Sequence, residues 1–370
     1  MILVAEYVSP GHPDRLCDAI VNNIVNYVVS RDKDALCGLE CAIHTNKVFV
    51  DGRIAAGKHR KVINQEKIKE IVRQVYKNAH YGCKYIADGK FHKRCWHPYP
   101  EELEIILDVC IERLSDDERE LRQYSDDQNV VNGYALNSPL SDYLPIEHFV
   151  AWKIGEALAN KSSLHGPDFK VLVQIEKEND ALRWHRLTIS AQHHRDEDYK
   201  RFFDHMKSCI DSILDNLFSG TNLDSISKID NLHFYLNGAG DFVQGGPEGD
   251  NGLSGKKLCI DFYGPSVPIG GGAIFGKDQH KIDVCGALRA RELALKLVKE
   301  QGFYSVFTTL AWSPGEKSPY IIEAYAIDEF GTKIKVDSSL LPPRDFFSIE
   351  CINNDMNLAD RKITSVRDIK

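Results

Sequence analysis

Apolar residues recur every three to four positions in several stretches of the chain, which is the spacing of an amphipathic helix. The first stretch begins at Pro13, a residue favoured in the first helical turn. Its apolar positions are Leu16, Cys17, Ile20, Ile24 and Val28. The same spacing predicts further helices over 65–78, 145–159, 199–218 and 286–299.

Short runs of alternating or β-branched residues lie between these helices and predict strands. Two hairpins are predicted, over 36–43 with 47–54 and over 170–176 with 181–191. Further strands are predicted at the N-terminus and over 257–263, 304–310 and 320–326.

A helix followed by a hairpin recurs about three times along the chain. This recurrence predicts an α+β fold of three related units, each a small mixed or antiparallel sheet covered by helices. The units are predicted to span residues 1–113, 124–233 and 234–370.

Length, charge and cysteine pattern narrow the class of protein. The 370 residues, 43% hydrophobic and 27% charged, suit a globular protein with more than one core. The formal charge of −8 without a basic block, and the lack of a long apolar run, exclude nucleic acid and membrane as expected partners. Ten scattered cysteines without a Cys-x-x-Cys pair, and an N-terminus unlike a secretory signal, lead us to expect buried thiols in the cytoplasm.

Two glycine-rich segments, 238–257 and 270–283, are longer than packing requires. Glycine lets backbone N–H groups approach a ligand, and successive N–H groups bind anions. The segments also carry Lys256, Lys257, Lys277, Lys281, Asp250 and Asp283. Lysine, carboxylate and glycine together predict a polyphosphate site with a divalent cation. The alternative is a pair of solvated surface loops.

A third segment, 6–15, places His12, Asp14 and Arg15 at the start of the first predicted helix. The dipole and free N–H groups of a helix N-terminus favour anions. Taken alone, His12 has the position of a helix cap as much as that of a catalyst.

Together these segments resemble the methionine adenosyltransferase (S-adenosylmethionine synthetase) family. Residues 11–15 are similar to its Gly-His-Pro-Asp string followed by a basic residue. Residues 245–257 resemble Gly-Gly-Pro-x-Gly-Asp-x-Gly-Leu-Thr-Gly-Arg-Lys, and 270–283 resemble Gly-Gly-Gly-Ala-Phe-Ser-Gly-Lys-Asp-x-x-Lys-Val-Asp. Shorter likenesses occur in the family's order at 127–128, 133–135, 167–170 and 192–193.

The resemblance implies an enzyme that transfers the adenosyl group of ATP to the sulfur of methionine and forms S-adenosylmethionine. The triphosphate that leaves is then hydrolysed to phosphate and diphosphate. The family also implies Mg²⁺ (two per site) and K⁺ as cofactors, and a homodimer or tetramer with active sites shared between subunits. Such a leaving group needs preorganised positive charge, which the lysine-rich segments offer.

Roles for individual residues follow from the same resemblance. The catalytic group is implied to be His12, which stabilises the departing oxygen, with Lys170 and Lys277. The residues implied to bind ATP and its triphosphate are Arg15, Asp168, Phe242, Asp250, Lys256, Lys257 and Lys281. Asp14 and Asp283 are implied to hold Mg²⁺, and Glu40 to hold K⁺. The residues implied for the acceptor site are Arg53, Arg113, Asp127 and Trp312.

The chain departs from the family most on the acceptor side. Arg53 replaces a Glu, Arg113 replaces a Gln, and Trp312 replaces an Ile of the thioether pocket. In the family's Gly-Ala-Gly-Asp-Gln-Gly string, here 124–129, the glycines are lost, and Asp126 stands at one of them. A cation at residue 53 disfavours a substrate ammonium.

Two alternatives therefore stay open. One is the same adenosyl transfer to a different, more acidic acceptor. The other is a non-catalytic paralogue that binds ATP or hydrolyses triphosphate as a regulatory subunit. The presence of His12 and Lys170 disfavours the second alternative, because a protein that only binds ATP needs no leaving-group stabiliser.

Overall fold

The computed structural model describes residues 1–57, 63–82, 84–87, 90–161, 165–178, 181–360 and 365–369, with the backbone alone over 84–87 and 90–95. In these ranges the helices are α1 Pro13–Val29, α2 Gln65–Asn78, α3 Asp116–Leu121, α4 Ile146–Ala159, α5 Tyr199–Phe218, α6 Leu258–Asp261, α7 Ile282–Gln301 and α8 Ile349–Met356. The strands are β1 Ile2–Val8, β2 Leu36–His44, β3 Lys47–Ala55, β4 Lys84–Ala87, β5 Lys90–Cys95, β6 Glu104–Glu112, β7 Asn129–Leu136, β8 Phe169–Glu178, β9 Ala181–Ala191, β10 Phe234–Leu236, β11 Gly252–Leu253, β12 Ser305–Trp312, β13 Ile321–Ile327 and β14 Lys333–Lys335.

Three four-stranded sheets form the framework, and the predicted α+β class is confirmed. The central sheet has the order β1-β8-β9-β10, the N-terminal sheet β11-β2-β3-β6, and the C-terminal sheet β14-β13-β12-β7. Within the described residues, β4 and β5 form a separate hairpin.

Each sheet packs its own core against helices. Apolar faces of α4 and α5 cover the central sheet, those of α1 and α2 cover the N-terminal sheet, and α7 with α8 covers the C-terminal sheet. The buried positions of α1 include the apolar residues whose spacing predicted it. No helix in the described part of the chain has the length and apolar character needed to span a membrane.

The chain passes through the three sheets in an interleaved way. Strand β1 pairs with β8 in the central sheet, β7 pairs with β12 in the C-terminal sheet, and β11 pairs with β2 in the N-terminal sheet. Each sheet therefore contains a strand from outside the range predicted for its unit, and the ranges 1–113, 124–233 and 234–370 stay a prediction of domain organisation.

One predicted element is wrong, and other elements begin or occur where the sequence pattern did not place them, among them α3, α8, β4, β5, β10, β11 and β14. Residues 257–263 were expected as a strand but contain the short helix α6. Helix α7 starts at Ile282, ahead of the expected residue 286. Strands β6 and β7 were not predicted at all.

Candidate active site

His12 is the N-cap of α1 and is buried at the start of that helix. Its Nδ1 accepts a hydrogen bond from the Asp14 backbone N–H at 3.2 Å. Because that bond needs a lone pair on Nδ1, the neutral ring carries its proton on Nε2. Burial and the nearby charges of Lys170 and Lys257 lower the pKa of His12 to about 3. The side chain is therefore a neutral hydrogen-bond donor at physiological pH.

An open cleft of about 380 Å³ brings five of the predicted site residues together. His12, Asp168, Lys170, Phe242 and Asp250 all line it, and we call it the His12 cleft. The segments that carry His12 and Asp168 are joined through the Ser9 side chain, whose Oγ donates to the Pro167 carbonyl and accepts from the Phe169 N–H, both at 2.9 Å.

The loop 238–250 forms the opposite side of the His12 cleft. The Phe242 N–H donates to Nε2 of His193 at 3.1 Å, and the His193 N–H donates to the Phe242 carbonyl at 2.9 Å. These two bonds fix the half-buried Phe242 ring at the cleft wall, where it offers a flat apolar face.

Asp168 carries a buried carboxyl group whose two oxygens differ in their hydrogen bonding. Its Oδ2 accepts from the Gly246 N–H at 2.8 Å, whereas Oδ1 has no hydrogen-bond partner within the described residues. Burial raises the pKa of Asp168 to about 6, so at pH 7 the group is ionised at a cost. A ligand donor reaching Oδ1 would offset that cost.

Asp14 meets the two lysines of the first glycine-rich segment. It contacts Lys257 in a close ion pair, Lys256 at 3.5 Å, and accepts from the Leu253 N–H at 2.9 Å. Burial acts to raise the pKa of Asp14, but the hydrogen bonds from Lys257 and Leu253 outweigh it and keep the pKa below its usual value. One carboxylate thus faces two ammonium groups, which leaves positive charge for an anion.

The two glycine-rich segments lie side by side along the edge of β2. Gly252 and Leu253 pair with Ile43 and Ala42, and farther along the same strand Lys277 pairs with Gly38. Glu40 lies on β2 between these two contacts, with its side chain exposed. The lysines of both segments are consequently brought to one edge of the N-terminal sheet.

A second group of charges stands at the start of α7. Lys277 pairs with Asp283 at 2.9 Å, and Lys281 pairs closely with Asp126. Gly272 has no room for a side chain, because a Cβ there would lie 1.6 Å from Asp283 Oδ1. We call Lys277, Lys281, Asp283 and Asp126 the α7 cluster.

Trp312 and Asp127 lie next to the α7 cluster. Asp127 is an exposed residue just before β7, and Trp312 is in register with Asn129 at the start of that strand. The Trp312 ring is buried, packs against Gly286 of α7, and has an indole N–H without a partner in the described part of the chain. Trp312 therefore fills space behind the cluster.

Arg53 is held by two acidic residues of the same chain. Its guanidinium contacts Glu112 at 2.9 Å and Glu118 at 2.7 Å. Its positive charge is therefore largely neutralised before any substrate arrives. Arg113 is exposed directly after β6.

Arg15 does not join the lysines that surround Asp14. It is buried and pairs with Asp261, closely, and with Asp18 at 3.3 Å. Asp18 in turn accepts from the Gly255 N–H at 2.8 Å. Arg15 thus anchors the segment that carries Lys256 and Lys257, a function that no local motif signalled because Asp261 is distant in sequence.

The carboxylates near the lysines can be compared with what the implied Mg²⁺ ions require. Within the described residues, no three His, Cys, Asp or Glu side chains come together as a metal site. Mg²⁺ bound to a polyphosphate usually takes only one or two protein carboxylates and completes its octahedron with phosphate oxygens and water. Asp14 and Asp283, each beside lysines that would face phosphate, fit that arrangement.

Sequence reasoning missed three residues that shape the site. Asp126 pairs with Lys281, and the buried pair of Arg122 and Asp278 fixes the second glycine-rich segment against β2, where the Cys37 N–H donates to Asp278 at 2.8 Å. The only sequence signal for Asp126 was the loss of a glycine at that position. Arg122 and Asp278 lie 156 residues apart in sequence, so no local pattern links them.

Comparison with known proteins gives two family matches, one in the N-terminal and one in the C-terminal part of the chain. Residues 1–93 match the model of the S-adenosylmethionine synthetase N-terminal domain, and residues 244–365 match that of the C-terminal domain. The S-adenosylmethionine synthase of Finegoldia magna is 34% identical over 316 residues, which cover 80% of this chain and 75% of that protein. The chain belongs to the S-adenosylmethionine synthetase family.

Two further similarities bear on the length of chain and the fold. The S-adenosylmethionine synthase of a Nitratiruptor species is 28% identical over 362 residues, covering 94% of this chain and 86% of that protein. A solved structure, described as an unusual S-adenosylmethionine synthetase from Campylobacter jejuni, has 22% identity and a TM-score of 0.78, covering 100% of this chain and 92% of its own. The latter supports the fold, and family membership confirms the resemblance read from the sequence strings.

Proposed function

We propose that this protein forms S-adenosylmethionine from ATP and methionine, releasing phosphate and diphosphate. The observation that carries the proposal is a neutral His12 beside Lys170 in the His12 cleft. A neutral imidazole with its proton on Nε2 can donate to an oxygen on which negative charge develops. A helix cap without a catalytic function has no need of a cleft or of a lysine next to it.

In the proposed reaction the adenosine of ATP occupies the His12 cleft, with the adenine against Phe242. A lone pair on the methionine sulfur attacks C5′, the C5′–O bond breaks, and the triphosphate leaves with the bonding electrons. The product is a sulfonium cation. His12 donates a hydrogen bond to the departing oxygen, and Lys170, Lys256, Lys257 and Lys277 stabilise the charge of the triphosphate.

Asp14 and Asp283 are the residues that we propose to hold Mg²⁺. When bound, the ions would supply positive charge that stabilises the phosphate oxygens of ATP and of the leaving triphosphate. Glu40 is the proposed K⁺ ligand, because its exposed carboxylate lies on β2 between the two glycine-rich segments.

Methionine is the proposed acceptor in preference to a more acidic molecule. The case for an acidic acceptor depended on Arg53, Arg113 and Trp312, and first on an uncompensated cation at Arg53. The contacts of Arg53 with Glu112 and Glu118 weaken that case, since a neutralised guanidinium neither repels an ammonium nor attracts a second carboxylate strongly.

A homodimer or larger assembly remains part of the proposal. It is supported by the family and by an apolar pair on the open face of the N-terminal sheet, where Phe49 lies opposite Ile106 and both are exposed. Exposed apolar residues that adjoin on a sheet face favour burial against a partner.

The His12→Ala variant tests the proposed chemistry. We expect it to slow S-adenosylmethionine formation by ~10²-fold or more, the size of losing one preorganised stabiliser, while added triphosphate is still hydrolysed. The matched control is His205→Ala, because His205 is exposed on α5 away from the cleft. Loss of both activities together, with weaker ATP binding, would make His12 a structural cap and contradict the proposal.

A further inference from the structure

Asp241 directly precedes Phe242 and places a carboxylate in the His12 cleft. Its side chain is 73% exposed, and the ring of His193 comes within 3.8 Å of one of its oxygens, which is too long for a hydrogen bond. Among the described residues, no side chain or backbone N–H donates to this carboxylate. It is therefore accessible to a ligand whose base lies against Phe242.

His193 does not neutralise this carboxylate. Its Nε2 accepts the hydrogen bond from the Phe242 N–H at 3.1 Å, and its Nδ1 lies 2.9 Å from the His194 carbonyl. An imidazole that accepts at Nε2 and donates at Nδ1 carries one proton and no net charge. The negative charge of Asp241 thus meets no cation at this contact.

The amide side chains of the same loop already have backbone partners. Asn237 accepts from the Ala191 N–H at 2.8 Å and donates to the Ala191 carbonyl at 3.0 Å. Gln244 donates to the Glu248 carbonyl at 2.8 Å. Because hydrogen bonds to charged groups are the stronger ones, Asp241 is the side chain of this loop that should dominate recognition of a base edge.

The cleft wall beside Asp241 leaves room for a substituent on the base. Gly240 lines the cleft, and a Cβ at that position would meet no atom within 4 Å apart from its chain neighbours. An amino group on the edge of a purine can therefore lie next to Asp241 without a clash.

A carboxylate at the edge of a base favours guanine over adenine. An ionised carboxylate only accepts hydrogen bonds and has two oxygens to do so. Guanine presents two adjacent donors, N1–H and N2–H₂, which match the two oxygens. Adenine presents its N6–H₂ donor next to the N1 lone pair, which would face the second oxygen unfavourably. Stacking on Phe242 does not discriminate, since every base has a π-face.

We propose that this protein also takes GTP as a nucleoside donor, with Asp241 accepting hydrogen bonds from N1–H and N2–H₂ of the guanine. This inference rests on the proposed function, because the cleft and the reaction are the same. A lone pair on the methionine sulfur attacks C5′ of GTP, the C5′–O bond breaks, and the triphosphate leaves with the bonding electrons. The product is a sulfonium cation, the guanosine counterpart of S-adenosylmethionine.

The test measures kcat/KM for ATP, GTP and ITP with methionine, and identifies the sulfonium products by mass spectrometry. ITP has the N1–H of GTP but lacks its 2-amino group. Wild type should use GTP about tenfold better than ITP or more, because the amino group adds one hydrogen bond to a charged partner.

The Asp241→Asn variant should lower kcat/KM for GTP about tenfold or more and bring GTP and ITP close together. The value for ATP should not fall, because an amide offers adenine a donor and an acceptor at once. The control is Asp215→Asn, which removes the same charge from an exposed position on α5 and should keep all three values.

The outcomes separate this inference from the proposed function. Wild type that makes S-adenosylmethionine from ATP but no sulfonium product from GTP would overturn the inference and leave the function intact. An equal loss for ATP and GTP in Asp241→Asn would also overturn it, since Asp241 would then act on the ribose or on the loop. Wild type that makes no sulfonium product from any nucleotide would overturn both.

Discussion

At the residue scale, burial shifts the pKa values of two side chains in the His12 cleft in opposite directions. The pKa of His12 falls to about 3, and the pKa of Asp168 rises to about 6. At pH 7 a neutral hydrogen-bond donor, His12, and a carboxylate that is ionised at a cost in free energy, Asp168, therefore face the same cleft. Groups with perturbed pKa values in a cleft are typical of functional sites.

Asp168 should make the stability of the protein depend on pH. Its pKa in the folded state exceeds its usual value of 3.8, so it adds stability that is complete below pH 3.8 and is lost as pH rises through about 6. Between pH 5 and pH 8 wild type should therefore lose about 1 kcal/mol through this group. The Asp168→Asn variant should lack that loss in urea unfolding measured at both pH values.

The control for this measurement is Asp241→Asn, which removes a well-exposed carboxylate from the same cleft. It should keep the pH dependence of wild type. If the Asp168→Asn variant also kept this pH dependence, ionisation of Asp168 would not be the cause of the loss of stability. ATP binding by Asp168→Asn should be weaker, since the ligand loses a charged acceptor at Oδ1.

At the scale of elements, the start of α1 and the short strand β11 are held together by carboxylates of the helix. Asp14 accepts from the Leu253 N–H and Asp18 from the Gly255 N–H, while Arg15 joins Asp18 to Asp261. The helix that presents His12 and the segment that presents Lys256 and Lys257 are thereby one unit.

Removing Arg15 should destabilise the fold strongly. The Arg15→Leu variant leaves Asp18 and Asp261 buried without their cation, and breaking a buried pair in this way costs ~3–5 kcal/mol. Arg344→Leu is the matched control, because its ion pair with Glu316 is exposed and worth ~0–1 kcal/mol. Urea unfolding gives both values, and an Arg15→Leu loss within about 1 kcal/mol of the control would contradict the anchoring function.

The sequence predicted the elements that depend on local periodicity and missed those that depend on distant partners. Helix α1 and the β2–β3 hairpin follow from apolar spacing alone. The run 257–263 is short and rich in apolar and aromatic residues like a buried strand, yet it contains α6, where Asp261 meets Arg15. Strand β7 is defined by its pairing with β12, more than a hundred residues away, which no local pattern announces.

The candidate site divides in the same way. Glycine-rich strings and a helix N-terminus are local signals, so His12, Lys170 and the two lysine-bearing segments could be identified from sequence. The neutralisation of Arg53 by Glu118 and the pairing of Lys281 with Asp126 join residues 65 and 155 apart. The acceptor side could therefore be interpreted only after the fold had brought these residues together.

At the scale of the whole molecule, an acidic protein concentrates lysines at the site proposed for an anionic substrate. The formal charge is −8, but both lysine-bearing segments meet along one edge of β2. Local positive charge can attract an anion against the net charge of the molecule. The three interleaved sheets make this possible, since β11 and residues 276–278 come from the C-terminal part of the chain and lie on the N-terminal sheet.

The most direct measurement is to identify every product after incubation of the protein with ATP, methionine, Mg²⁺ and K⁺. We predict S-adenosylmethionine, phosphate and diphosphate in equal amounts, no product after chelation of Mg²⁺, and a rate ~10²-fold lower for Lys277→Ala and for Asp283→Asn, because each variant loses one electrostatic stabiliser. Consumption of ATP without a sulfonium product, or near-normal turnover in both variants, would contradict the proposed synthesis of S-adenosylmethionine.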